Sequence, residues 1–160
     1  MTIRVGDKLP SINLQHKVDG NVETISSDDL FNGKKVVLFA LPGAFTPTCS
    51  ASHLPGYVQS ADEIFNKGVD SIICLSVNDA HVMHAWGLDQ NVGDKVKMIA
   101  DGNADFTRAI GLEVNLEAGG MGLRSQRYAM IVNDGVVELL NLEEPRMFEV
   151  SDAATILASL

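Results

Sequence analysis

Cysteine is scarce in this chain: two residues in 160, Cys49 and Cys74. Two cannot build a disulfide framework, and a chain of this length can bury a core without one. Long apolar runs are also missing. The longest, "VVLFAL" from Val36 to Leu41, is far too short to span a bilayer, so no membrane partner is expected. The N-terminal "MTIRVGDKLP" lacks the apolar centre and small-residue cleavage site of a secretory signal. Positive charge is thin. At a net charge of −9 the surface repels phosphate backbones and anionic lipid, so no nucleic acid partner is expected either. Lysine disappears after Lys97: from Asp101 to Leu160 the basic residues are Arg108, Arg124, Arg127 and Arg146. Arginine keeps its charge and forks its donors, which suits fixed recognition of an anion. Arg108 and Arg146 read as surface ion-pair formers. Such sparing use of cysteine fits a reducing cytoplasm, the expected location.

What is present alternates strand and helix signals along one domain, residues 1–160. "SINLQHKV" and "NVETI" flank Asp19-Gly20, a hairpin signal. "SSDDLF" reads as a short capped helix, and "KKVVLFAL" as a strand buried on both faces. Leu54, Val58, Ala61 and Phe65 then repeat at helical spacing up to Gly68. "VDSIICLSV", "DAHVMHAWGLDQ", "VKMIA" and "NADFTRAIGL" continue as strand, helix, strand and helix. "RYAMIV" and "VVELLNL" surround Asn133-Asp134-Gly135, a second hairpin signal, and "SDAATILASL" is a closing capped helix. Three βα units followed by a hairpin and a helix predict an α/β thioredoxin-like fold. Its central mixed sheet would be flanked by helices, with an N-terminal hairpin extension.

Cys49 stands where chemistry is expected in such sheets, beyond the carboxyl end of a strand and in the first turn of the next helix. Thr46 reads as the N-cap and Pro47 as the first helical residue. Free N–H groups in that turn favour negative charge, and such settings lower a cysteine pKa from about 8.5 to roughly 4–7. Pro42 and Gly43 permit a tight turn against a bound substrate. Pro55, inside the helix, predicts a kink. Thr46-Pro47-Thr48-Cys49 places threonine where a Cys-x-x-Cys motif has its first thiol. That favours attack on an oxygen substrate over disulfide exchange. A buried, inert thiol at a helix start is the competing reading, and the electropositive setting speaks against it.

"PGAFTPTCS", Pro42 to Ser50, resembles the peroxidatic-cysteine motif of the peroxiredoxins, and "LPGAFTPTCSASHLPGY" resembles their type II, or peroxiredoxin-5, subfamily. "CLSVND", "AWG" and "RSQRYAMIV" extend the resemblance, in order, over nearly the whole chain. The resemblance implies that Cys49 attacks the terminal oxygen of a peroxide and becomes a sulfenic acid. It implies that Thr46 hydrogen-bonds sulfur and peroxide, that Pro42 shields them from water, and that Arg127 is the active-site arginine. Arg124 is a supporting candidate. His53, four residues after Cys49, is expected to orient the site rather than to transfer protons. The substrates implied are hydrogen peroxide and small alkyl hydroperoxides. No cofactor is implied, and a homodimer is.

Some type II members carry a resolving cysteine near the C-terminus. "EEPRMFEVSDAAT" contains none, which rules out that route. Cys74, in "SIICLSV", alternates with Ile72 and Ser76 as in a buried strand. It reads as a structural thiol, with a resolving role left to geometry. The resemblance therefore implies an external reductant, glutathione with glutaredoxin or thioredoxin. A thiol–disulfide oxidoreductase and a redox-sensing binding protein are the rival functions. His81 and His84 lack a third ligand, so no metal site is expected. "GGMG", Gly119 to Gly122, lacks the lysine of a phosphate loop and reads as a flexible connector. Trp86 reads as core.

Overall fold

A computed structural model describes residues 2–160. Strands β1 (Asn13–Val18) and β2 (Asn21–Ser26) form the N-terminal hairpin. Its turn residues Asp19 and Gly20 both have positive φ, 50° and 83°, as the right-handed twist of the strands demands of a two-residue turn. Helix α1 (Ser27–Phe31) follows, its first turn capped by the Ser26 hydroxyl accepting from the Asp28 N–H. Next come β3 (Lys35–Ala40), α2 (Leu54–Asn66), β4 (Ser71–Ser76), α3 (Ala80–Asp89), β5 (Lys97–Ala100) and α4 (Asp105–Ala109). The last third holds β6 (Glu113–Leu116), β7 (Gly122–Ser125), β8 (Tyr128–Asn133), β9 (Val136–Leu142) and α5 (Ala153–Ala158).

Seven strands form one mixed sheet in the order β2-β1-β5-β4-β3-β8-β9. β3, β4 and β5 run parallel, while β8 joins β3 antiparallel. The N-terminal hairpin is not an appendage, because β1 docks on β5 through the pair Gln15 and Ala100. Alternation along the central strands sends Val37, Phe39, Ile72, Cys74, Ala129 and Ile131 to one face, packed with Tyr57, Ile64, Trp86 and Ile156. Val36, Leu38, Ile73, Leu75, Met130 and Val132 go to the other face, packed with Phe31 and Phe106. Each face buries its apolar side chains against helices, which is why these strands are apolar without interruption.

The expected α/β thioredoxin-like architecture is present, with one addition. "GGMG" does lead into the strand that carries Arg124, but the hairpin it belongs to is not expected from the sequence. It turns a second, two-stranded sheet, β6 against β7, through a 3-10 turn at Glu117–Gly119. Its strands have only four residues each and half-exposed side chains, so no apolar run marks them in the sequence.

Candidate active site

The chain leaves β3 at Ala40 and turns through Pro42–Thr46 before the helix begins. Asn78, just past β4, clamps this turn. Its Oδ1 accepts from the Ala44 N–H at 2.9 Å and from the Ser76 hydroxyl at 2.7 Å. The next residue, Asp79, caps α3 by accepting from the Val82 N–H. "SVND" thus fixes the turn before Cys49 from the neighbouring strand.

The helix opens at Pro47, as expected, and Thr46 takes the capping position with its backbone: Ser50 N–H donates to the Thr46 carbonyl at 3.0 Å. The side chain behaves differently. The Thr46 hydroxyl donates to the Gly43 carbonyl at 2.7 Å. A hydroxyl has one proton, so this one is not directed at the sulfur. The oxygen keeps its lone pairs to accept a hydrogen bond.

Cys49–His53 forms a π-helical turn, closed by the Leu54 N–H donating to the Cys49 carbonyl. Pro55, in the first positions of α2, explains it. Proline donates no hydrogen bond and its ring crowds the carbonyl four residues back, so a wider turn resolves what the sequence predicts as a kink. Trp86 is buried, as expected, and its Nε1–H donates to the Ser50 hydroxyl at 3.0 Å. "AWG" therefore holds the residue next to Cys49.

Cys49 is completely buried, and its Sγ accepts from Arg127 Nη2 at 3.1 Å. Arg127, between β7 and β8, also donates from Nη1 to His53 Nδ1 at 2.7 Å. An arginine can only donate, so Nδ1 must be the acceptor and the neutral ring carries its proton on Nε2. That proton goes to the Ser151 carbonyl, 3.1 Å away. Burial first, and the Arg127 charge second, push the His53 pKa down to about 3. His53 thus stays neutral and accepts from Arg127. Phe148 packs on both, 5.0 Å from the His53 ring and 5.8 Å from the Arg127 guanidinium carbon.

Arg124 supports from behind. Its Nε donates to the Met121 carbonyl at 2.8 Å and its Nη1 to the Pro42 carbonyl at 3.3 Å, tying the β6–β7 hairpin to the turn before Cys49. A groove of about 550 Å³ runs along this hairpin, lined among others by Pro42, Thr48, Val114, Leu116, Arg127 and Met147. Arg108 pairs with Asp105 at 3.3 Å, as expected of a surface arginine. Arg146 is exposed, as expected, at the edge of this groove and in the left-handed region at φ 68°, but it forms no ion pair among the described residues. Cys74 is fully buried on β4 beside Phe39. Burial, and then the neighbouring Cys49, push its thiol well above the usual range. That makes it a poor nucleophile.

Sequence reasoning found Cys49, Thr46, Pro42, Arg127, His53 and Arg124, and the fold brings them together. It missed Asn78, Ser151, Phe148 and Glu143. The "SVND" match was the only signal for the first. Nothing local marks the other three.

The Redoxin family model matches residues 4–157. Peroxiredoxin-2E-2, chloroplastic, of rice is 50% identical over 99% of this chain and 73% of its own length. A peroxiredoxin of Synechocystis is 52% identical over 86% of this chain and 76% of its own. Among solved structures, reduced Prx3 from Vibrio vulnificus in complex with hydrogen peroxide superposes with a TM-score of 0.95. It is 54% identical, with 99% of each chain covered. A buried cysteine held by an arginine, in a chain that the family model matches over residues 4–157, leaves one assignment: the chain belongs to the peroxiredoxins, the thiol peroxidases.

Proposed function

We propose that this peroxiredoxin reduces hydrogen peroxide and small alkyl hydroperoxides by a one-cysteine cycle. The observation that carries the reading is the fork of Arg127, which reaches the Cys49 sulfur with one nitrogen and neutral His53 with the other. A guanidinium so placed stabilises the thiolate and the charge that develops on the departing oxygen. The Cys49 thiolate attacks the terminal peroxide oxygen. An S–O bond forms and the O–O bond breaks. The leaving oxygen departs as hydroxide or alkoxide, takes a proton and becomes water or alcohol. The sulfur has become a sulfenic acid. Thr46, its proton already given to Gly43, can accept the peroxide O–H and so orient the attack. Val114, Leu116 and Met147 offer an apolar wall to an alkyl substituent.

An external thiol then condenses with the sulfenic acid, releasing water and leaving a mixed disulfide. A second thiol reduces that disulfide. Glutathione with glutaredoxin, or thioredoxin, fits this step. Cys74 supports the one-cysteine cycle by being buried with its thiol pushed up. A reducing cytoplasm is the location that suits such a cycle. A homodimer is the proposed assembly, its contact including Phe45, which is 53% exposed beside the peroxidatic turn.

Intact mass after one equivalent of hydrogen peroxide, without reductant, tests the cycle. One added oxygen, trapped at Cys49 by a sulfenic-acid reagent, is expected. Loss of two hydrogens would show a Cys49–Cys74 disulfide and overturn it.

A further inference from the structure

A carboxylate outside the reacting atoms closes a ring of hydrogen bonds through this site. Glu143, just beyond β9, is only 6% exposed. Its Oε2 accepts from the N–H groups of Glu149, Val150 and Ser151 at 2.9 Å each, and from the Ser151 hydroxyl at 2.7 Å. Oε1 also accepts from the Glu149 N–H at 2.9 Å. Three successive amides converging on one side chain favour an acceptor with negative charge. Burial alone would raise this carboxyl pKa, but those hydrogen bonds win and hold it below the usual value.

The ring then runs through the catalytic arginine. The Glu143 N–H donates to the Arg127 carbonyl at 3.0 Å. The Ser151 carbonyl accepts from His53 Nε2 at 3.1 Å and from the Tyr57 hydroxyl at 2.7 Å. His53 Nδ1 accepts from Arg127 Nη1. From Arg127 backbone to Arg127 side chain, the path passes through Glu143, Ser151 and His53 without a gap.

We propose that Glu143 is a positioning residue for Arg127: it pins residues 149–151, so that the Ser151 carbonyl fixes the tautomer and angle of His53 and His53 aims Arg127 at the Cys49 sulfur. This rests on the peroxidase reading of Cys49. Glu143 lines the groove beside Arg127, but its carboxylate oxygens are taken up by residues 149–151, so it works through geometry. Without it, three amides and a hydroxyl lose their acceptor, the 149–151 segment relaxes, and Phe148 moves with it. Water then reaches His53. The titratable and charged groups around that ring are Cys49 and Tyr57 from its own helical segment, Arg127 before β8 and Glu143 after β9. The aromatic rings of Phe39 and Phe148 complete its surroundings. A wetted His53 regains its proton in the ordinary histidine range, and an imidazolium cannot accept from Arg127.

Glu143→Gln keeps the size and removes the charge. Its rate constant with hydrogen peroxide, followed over about pH 5 to 8, should fall about tenfold at neutral pH. It should also gain an inflection near pH 6–7 that the parent lacks. In a His53→Gln background the same substitution should cost little more, because both act along one path. Alkylation of Cys49 by iodoacetamide reads the hold of Arg127 on the sulfur without any peroxide, and its pH profile should move upward in Glu143→Gln. A parental peroxidase that fails while this alkylation shift persists would break the peroxidase reading and leave the ring standing. A lowered melting temperature with parental rate and alkylation profiles, or full additivity with His53→Gln, would overturn the proposal. Should Glu143→Gln not fold, Ser151→Ala removes only the hydroxyl donor. A smaller loss in the same direction supports the ring, and unchanged profiles sink it.

Discussion

Arg127 illustrates how far a single side chain can be specified by its neighbours. Its two terminal nitrogens have different partners, and each partner is buried. Lysine carries the same charge on a single nitrogen, so it lacks the two separated donors that reach the sulfur and the histidine here. Arg127→Ala should lower the peroxide rate constant about a hundredfold with the fold intact. Stopped-flow oxidation followed by Trp86 fluorescence would measure it, and a loss under threefold would mean that another group holds the thiolate. Cys49→Ser removes the nucleophile and should abolish activity altogether. Gly43 makes a quieter prediction. A Cβ there would lie 2.8 Å from Arg124 Nη1, so Gly43→Ala pushes the guanidinium off the Pro42 carbonyl. Activity should fall with little loss of stability, since a long side chain can swing away. Parental kinetics in that variant would show that Arg124 does not matter to the turn.

At the scale of elements, buried carboxylates at chain turns recur as anchors. Asp101, only 2% exposed at the end of β5, accepts from the N–H groups of Phe106 and Thr107 and from the Thr107 hydroxyl. It satisfies the open start of α4, where Ala104 has a left-handed backbone and no capping side chain. Asp101→Ala strands three buried donors and should cost about 2–4 kcal/mol by chemical denaturation. A loss below about 0.5 kcal/mol would mean that water replaces it fully. The π-turn at Cys49–His53 is another such feature. It places nucleophile and orienting histidine on one side of a helix whose regular start the proline at 55 forbids.

For the whole molecule, the two titrating groups of the ring set the response to acid. His53 has its pKa pushed down to about 3 in the fold, against an ordinary 6.5. Below about pH 6.5 the unfolded chain takes up a proton there that the folded chain refuses. The stabilisation is therefore complete above that pH and declines as pH falls toward 3. Glu143, held below the usual carboxyl value, works in the same direction at lower pH. Its contribution is lost as pH falls through the folded value. Denaturant midpoints should drop by the equivalent of about 2 kcal/mol between about pH 8 and about pH 5, and the drop should shrink in His53→Gln. Identical slopes in both proteins would mean that His53 does not report the fold. Cys74→Ala, by contrast, should keep full peroxidase turnover with an external thiol, because its side chain serves the core.

Much of this was legible in the chain itself. Local rules suffice for β3, β4 and β8, whose unbroken apolar runs mark strands buried on both faces, and for the Asp-Gly turns, whose backbone few other residues accept. The peroxidatic stretch is likewise local: strand end, tight turn, helix start and thiol lie within a dozen residues. Arg127, His53 and Thr46 could be named from motifs, but their bonding could not. Whether the Thr46 proton goes to Gly43 or to sulfur, and which nitrogen of His53 carries hydrogen, depends on atoms that meet only in three dimensions. Glu143 and Ser151 lie roughly ninety to a hundred residues from Cys49 and His53 in sequence, and no spacing rule links them. Burial decides their roles: once water is excluded, every donor must find a fixed acceptor, and only the tertiary structure says which one is within reach.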